Sequence, residues 1–389
     1  MNVQDKREEK GRAALGLYVH APFCSSTCDF CAFYQEKPRK NSIENYLSGL
    51  KGEFSLVRVE GAVKTVFVGG GTPGVLSAGQ LERLCGLISE AGGAGAEEWS
   101  VELAPSEVTA EKLAALREGG VTRVSLGVQT FDPTFLRELG RDHPPEKAER
   151  AYDLIRAAGF ASVNVDLLFG APGQDLAAWE ADLRRAVELE PDHLSTYCLT
   201  FEEDTALYAR LAKGELRIEP EREAAFYELA WEYLPARGWR RYEVSNYARP
   251  GHECRHNLNT WRMNEWLGYG PSAASQFGGW RYRNVADLER WTAAIAAGDL
   301  PPREEVESLA PADLARDAVL FGLRLDDGFD LGELAGRFGV ASSSMDAVRA
   351  FMGRLMEEGL AEGEGEAYRL TTRGLILADG IAAELPDFE

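Results

Sequence analysis

Short runs of β-branched and apolar residues recur through the first half of the chain, and each leads into a longer stretch where Leu or Ala returns at i, i+3 and i+4. The runs are LGLYVH (15–20), KTVFVGG (64–70), EWSVEL (98–103), TRVSLGV (122–128), ASVNVDLL (161–168) and HLSTYCL (193–199). The spacing between them predicts helices near 43–59, 77–91, 109–118, 145–158 and 175–189. LERLCGLI in the second of these places Cys85 in the core. A strand–helix alternation of this kind builds a parallel sheet. Six such units suit an open, partial (β/α)6 barrel better than a closed eight-fold one. In barrel sheets the working residues sit at strand C-terminal ends and in the loops that follow, so chemistry is expected on that rim.

Around residue 300 the rhythm changes. GDLPPREEVESLAPADLARD reads as a Pro- and acid-rich linker, and DLGELAGRFG with MDAVRAFMGRLMEEGLAEGEGEAYRLTTRG resembles a winged helix. The expected division is an N-terminal tail (1–14), a barrel (15–240), a loop and connecting segment (241–300) and a C-terminal winged-helix-like α+β domain (301–389). Charge then limits what the last part does. Its eight arginines, without a lysine, face nineteen acidic residues, a net of −11, which excludes DNA as its partner. The whole chain, 389 residues at a net charge of −21, repels phosphate backbones and anionic lipid, so nucleic acid is not expected and membrane contact would run through a partner. The N-terminal MNVQDKREEKGR has no apolar stretch, and no run of eighteen apolar residues occurs. With six cysteines, three of them clustered, a reducing, cytoplasmic location is expected rather than a disulfide framework.

The cysteine cluster follows the first strand, in YVHAPFCSSTCDFCAF: Cys24, Cys28 and Cys31. Three thiolates on one loop with no other cysteine within fifty residues suit an iron–sulfur cluster with one iron left open. The competing reading is zinc, which wants four closed ligands. The same rim carries GGGTP (69–73) after the second strand, Glu102 after the third, Gln129 after the fourth and Asp166 after the fifth. Each alone is as well explained by a cap or a satisfied loop residue; four on one rim point to a ligand.

YVHAPFCSSTCDFC, GGGTP, ELAP, SLGVQTFDPTFLRELGR and NVDLLFGAPGQ resemble, in order and spacing, the coproporphyrinogen dehydrogenase branch of the radical S-adenosylmethionine (SAM) superfamily, from about residue 15 to the C-terminus. The resemblance implies a 4Fe-4S cluster on Cys24, Cys28 and Cys31, and SAM cleavage driven by an electron that a flavodoxin or ferredoxin supplies. It places Tyr18 beside the cluster, Phe30 against the adenine, Gly70, Gly71 and Thr72 at the amino-acid end of SAM, and Glu102, Gln129, Arg141 and Asp166 around the pocket. Arg141 offers a guanidinium to a carboxylate and Asp166 an acceptor to ribose hydroxyls.

Phe33 stands where the dehydrogenase has a further cysteine, and this departure is similar to the heme chaperone (HemW) subgroup of the branch. The stretch RYEVSNYARPGHECRHNLNTWRMNEWLGYGPSAAS (241–275) resembles that subgroup's heme segment, with His256, Asn257 and Trp261 matching and Thr260 and Ala274 departing from it. His252, Cys254 and His256 are possible axial donors on a Pro/Gly-led loop. Cys254 reads equally as a second axial donor, an attachment point or an inert thiol. The resemblance implies a chaperone that binds heme and passes it to an acceptor protein. Two alternatives use the same scaffold: a methyltransferase or cyclopropanase using two SAM molecules, and an oxygen-independent coproporphyrinogen III dehydrogenase.

Overall fold

The computed structural model describes residues 15–59, 61–141 and 143–388, so the expected 1–14 tail lies outside the described residues. Every apolar run becomes a strand: β1 (Leu15–Ala21), β2 (Val63–Gly70), β3 (Glu98–Leu103), β4 (Arg123–Gln129), β5 (Ser162–Phe169) and β6 (His193–Cys198). They pair in that order, all parallel. Between them lie helices α1 (Ser42–Leu56), α2 (Ala78–Glu90), α3 (Ala110–Glu118), α4 (Pro145–Ala158) and α5 (Leu176–Glu188). Capping residues set where several helices begin. Ser77 and Gln80 form a reciprocal capping box at α2, and Asp175 accepts from Ala178 N at 2.8 Å ahead of α5.

Side chains alternate across each strand. Leu17 and Val19, Val66 and Val68, Trp99 and Val101, Val124 and Leu126, and Val163 and Val165 belong to the buried apolar core. The intervening positions turn to the barrel lumen and are mostly polar, yet buried: His20, Thr65, Ser100, Arg123, Ser125, Asn164, His193 and Ser195. A lumen this polar must be matched by hydrogen bonds or ligands, because unpaired buried polar groups are costly.

The sheet does not stop at six strands; twelve take part. Beside β1 lies β9 (Trp266–Tyr269), parallel to it, then antiparallel β10 (Ala274–Phe277), β11 (Trp280–Asn284) and β12 (Arg303–Ser308). Beside β6 lie β8 (Asn246–Ala248) and β7 (Arg240–Glu243), antiparallel. The stretch expected as loop and connector, 241–300, is thus built into the sheet, and the expected linker contains β12 and the start of the helix Pro311–Gly322. β12 reads REEVES and is largely exposed; it is an edge strand whose acids pair with Arg281 and Arg283 of β11. Charge on an edge strand prevents further pairing, and it also hides the strand from a search for apolar runs.

The C-terminal part has the winged-helix arrangement: helices Pro311–Gly322, Leu331–Phe338 and Asp346–Glu357, with β13 (Phe329–Asp330), β14 (Ala361–Glu364) and β15 (Ala367–Leu370) in the order β13-β15-β14. Two of its acids turn to the barrel. Asp326 and Asp327 pair with Arg241 and Arg240 at 2.8 and 3.1 Å, and Arg324 binds the fully buried Glu243 at 2.8 Å. Arg337 donates to Arg262 O at 2.6 Å and Met263 O at 2.8 Å. Among the described residues no helix is long and apolar enough to cross a membrane.

Candidate functional site

β1 delivers the chain to the rim and the cysteine loop begins two residues later. The loop is fastened at both ends: Cys24 N donates to Glu36 O at 3.1 Å, Glu36 N to Pro22 O at 2.7 Å, and Asp29 N to Leu139 O at 3.1 Å. His20 holds the far side, because its Nε2 is 2.9 Å from Tyr34 O and must donate to a carbonyl. Nδ1 then accepts from the Tyr18 hydroxyl at 2.9 Å. Cys24, Cys28 and Cys31 are free and half-buried, and burial pushes all three thiols up while Arg141 opposes the shift. A cluster, which spreads its thiolates over separate irons, fits the trio better than zinc does. Cys85 is buried in α2, where burial pushes its thiol up to about 12.

The glycine turn after β2 packs directly under this loop. Gly71 N donates to Ala21 O at 2.9 Å and Thr72 N to Phe23 O at 2.7 Å, while Thr72 Oγ1 lies 3.4 Å from Cys24 Sγ. Gly70 has φ 100°, a conformation that glycine adopts without strain, and any Cβ there would overlap the His20 ring. Glu102 accepts from Gly70 N at 3.3 Å; burial, then the nearby Asp166, pushes its carboxyl up to about 8. Arg141 also bonds the Cys28 thiol, and its Nε is buried without a hydrogen-bond partner among the described residues. Gln129 ends β4 at φ 70°, where the pairing with β5 slips.

Asp166 lies deeper than the rim reading places it. Asp166 is inside the lumen, because β5 runs three residues further; it accepts from Ser125 Oγ at 2.8 Å and Asn164 Nδ2 at 2.7 Å. Phe30 packs on a separate apolar cluster of Leu139, Leu168, Ala171, Leu199 and Leu207.

His256, Asn257 and Trp261 are not on a loop. They belong to a short helix, Arg255–Trp261, that plugs the lumen at the N-terminal ends of the strands. Glu98 caps it, accepting from Arg255 N at 3.1 Å and His256 N at 3.0 Å. The partner of His256 Nδ1 is Thr65 Oγ1 at 2.9 Å, and the ring packs 5.3 Å from Phe67. Burial pulls the imidazole down to about 4, so it is neutral, and Nε2 has no hydrogen-bond partner among the described residues. That state suits an axial donor, although His256 is only 7 % exposed and the helix must shift to admit a macrocycle. Cys254 is fully buried against Glu98 with its thiol pushed up to about 12, which favours the inert-thiol reading. His193 bonds Asn164 at 2.6 Å and Tyr242 at 2.8 Å, a structural role.

A cavity of about 220 Å³ joins the two halves of the site. Glu102 and Asp166 line it from above, Asn257 and Trp261 from below, and Arg324 enters from the C-terminal domain. Sequence reading missed Arg123, Ser125, Asn164 and Ser195 in its wall. Their signal was the alternation itself: polar residues at every second position of strands that should be apolar on both faces.

The sequence profile of the Radical SAM superfamily matches residues 18–186, and that of the HemN C-terminal domain residues 309–377. The heme chaperone HemW of Bacillus subtilis is 33 % identical over 371 residues, covering 94 % of this chain and 97 % of that one. The heme chaperone HemW of Mycobacterium tuberculosis is 35 % identical over 378 residues, covering 95 % and 94 %. Among solved structures, coproporphyrinogen III oxidase (HemN) from Escherichia coli superposes with a TM-score of 0.81 at 24 % identity, covering 98 % of this chain and 93 % of that one, which shows a shared fold.

Proposed function

Because the chain belongs to the HemW family of radical SAM proteins, we propose that it is a cytoplasmic heme chaperone, which binds a 4Fe-4S cluster, SAM and heme and hands the heme to an acceptor protein. The observation that carries this reading is one-third identity sustained over 94 % of the chain. Phe33, 69 % exposed where the dehydrogenase has its further cysteine, favours the chaperone over that enzyme.

Cys24, Cys28 and Cys31 hold the cluster, whose chemistry when reduced is one-electron cleavage of SAM. The chain's own residues bind and orient. Arg141 Nε offers its unmatched N–H to the SAM carboxylate, and the Gly70–Gly71 turn lets the amino-acid end approach the backbone. Asp166, oriented by Ser125 and Asn164, accepts from ribose hydroxyls. Asp166→Ala is therefore expected to weaken SAM by about 1 to 3 kcal/mol, the cost of hydrogen bonds to a buried charged group, with iron content unchanged. Unaltered SAM affinity in equilibrium binding would remove Asp166 from the pocket.

Heme is bound through the helix Arg255–Trp261, with His256 Nε2 as donor, which leaves the proton on Nδ1 to be donated to Thr65 Oγ1. His256→Ala is expected to shift the Soret band and lower heme affinity while leaving iron and SAM binding intact; an unchanged spectrum would exclude His256 as ligand. The function itself is tested by adding hemin to the anaerobically reconstituted chain and then an apo-acceptor. Stoichiometric uptake followed by transfer is expected. Formation of S-adenosylhomocysteine with a methyl acceptor would instead make it a methyltransferase, and conversion of coproporphyrinogen III a dehydrogenase.

A further inference from the structure

Arg123 opens β4 with its side chain in the lumen, 3 % exposed. Its Nε is buried without a hydrogen-bond partner, and no ion pair among the described residues includes it. A guanidinium does not shed its charge in a protein, and a buried charge is normally paired. The neighbouring acids Glu98 and Asp166 favour its charge, but their hydrogen bonds go elsewhere. Glu98 caps the helix Arg255–Trp261, and Asp166 is matched by Ser125 and Asn164. Arg123 instead faces the cavity, across which stands Arg324, stacked 4.2 Å over the Trp261 ring.

We infer that Arg123, with Arg324 opposite, forms a subsite for a carboxylate limb of the substrate, inside the cavity between the SAM pocket and the plugging helix. A planar guanidinium matches a carboxylate with two parallel hydrogen bonds. The cavity, about 220 Å³, is smaller than the roughly 300–1,000 Å³ of a site for a drug-sized ligand. It takes a side arm, not a macrocycle. Asn257 and Trp261 line the same space, so a flat ring bound at the helix would send its acidic arm toward Arg123. For heme, the arm is a propionate, and this identification rests on the chaperone reading.

The test compares hemin with its dimethyl ester on the reconstituted full chain. The ester should bind about tenfold to a hundredfold more weakly, as expected for losing a hydrogen-bonded charge. R123Q should weaken hemin to the same extent and bind both forms alike, R123K should retain part of the preference, and R324Q should lose less because Arg324 is already paired with Glu243. Equal affinity of the wild type for hemin and ester overturns the subsite. Should the wild type bind neither, the chaperone reading fails and the subsite is read from crystals soaked with 3-bromopropionate. A bromine peak beside Arg123 in the wild type, absent in R123Q, supports it; an empty cavity overturns it.

Discussion

Alanine at Cys28 is expected to leave the reconstituted protein without iron. The wild type should hold about four irons per chain, as a cluster on three thiolates and one exchangeable site does. Cys24→Ala and Cys31→Ala should fail in the same way, because backbone hydrogen bonds to Glu36 and Leu139 pin the loop that carries all three thiols. Cys85 is sealed in α2 and Cys254 under Glu98. Cys85→Ala, Cys198→Ala and Cys254→Ala should accordingly keep full iron. Iron analysis of the six variants decides it: loss in any of the second group, or retention in any of the first, breaks the ligand set.

Gly71→Ala should be nearly as damaging, for a reason that lies in the backbone. A methyl group there would stand 2.7 Å from both Ala21 O and Phe23 O and 2.8 Å from Phe23 N. None of these is a side chain that can rotate away, and the two carbonyls are the acceptors for Gly71 N and Thr72 N. The turn must lift off the end of β1, losing two backbone hydrogen bonds and overpacking the seam, at about 2 to 5 kcal/mol. We expect no measurable SAM binding and a lowered melting temperature. Gly70→Val is a less clean probe of SAM contact than the glycine run suggests, since it strikes the His20 ring that fastens the cysteine loop. Wild-type SAM affinity in Gly71→Ala would mean that the seam is not part of the pocket.

The contrast between these sites and His256 shows what a sequence can carry. Cys24, Gly70 and Glu102 stand where strands give way to loops, so alternation and chain punctuation locate them. β7, β8 and β10 are too short and β12 too charged to show a period, and they form only because an existing sheet edge offers them hydrogen bonds. The pairing of His256 with Thr65 spans 191 residues, and no local pattern encodes such a contact. Asp166 was legible as a polar residue but not as one inside the lumen, because its depth depends on where β5 ends. Arg123 went unnoticed because a single arginine opening a strand reads as surface.

Arg324 does two things at once: it closes the cavity wall and it ties the C-terminal domain to Glu243. Two equilibria that share one side chain are thermodynamically linked, and linkage is reciprocal. Whatever anion settles in the cavity must tighten or loosen the grip of that domain on β7 by the same factor by which the domain alters the anion's affinity. The coupling between such an anion and the domain is therefore one free energy, the same whichever of the two is taken as its cause.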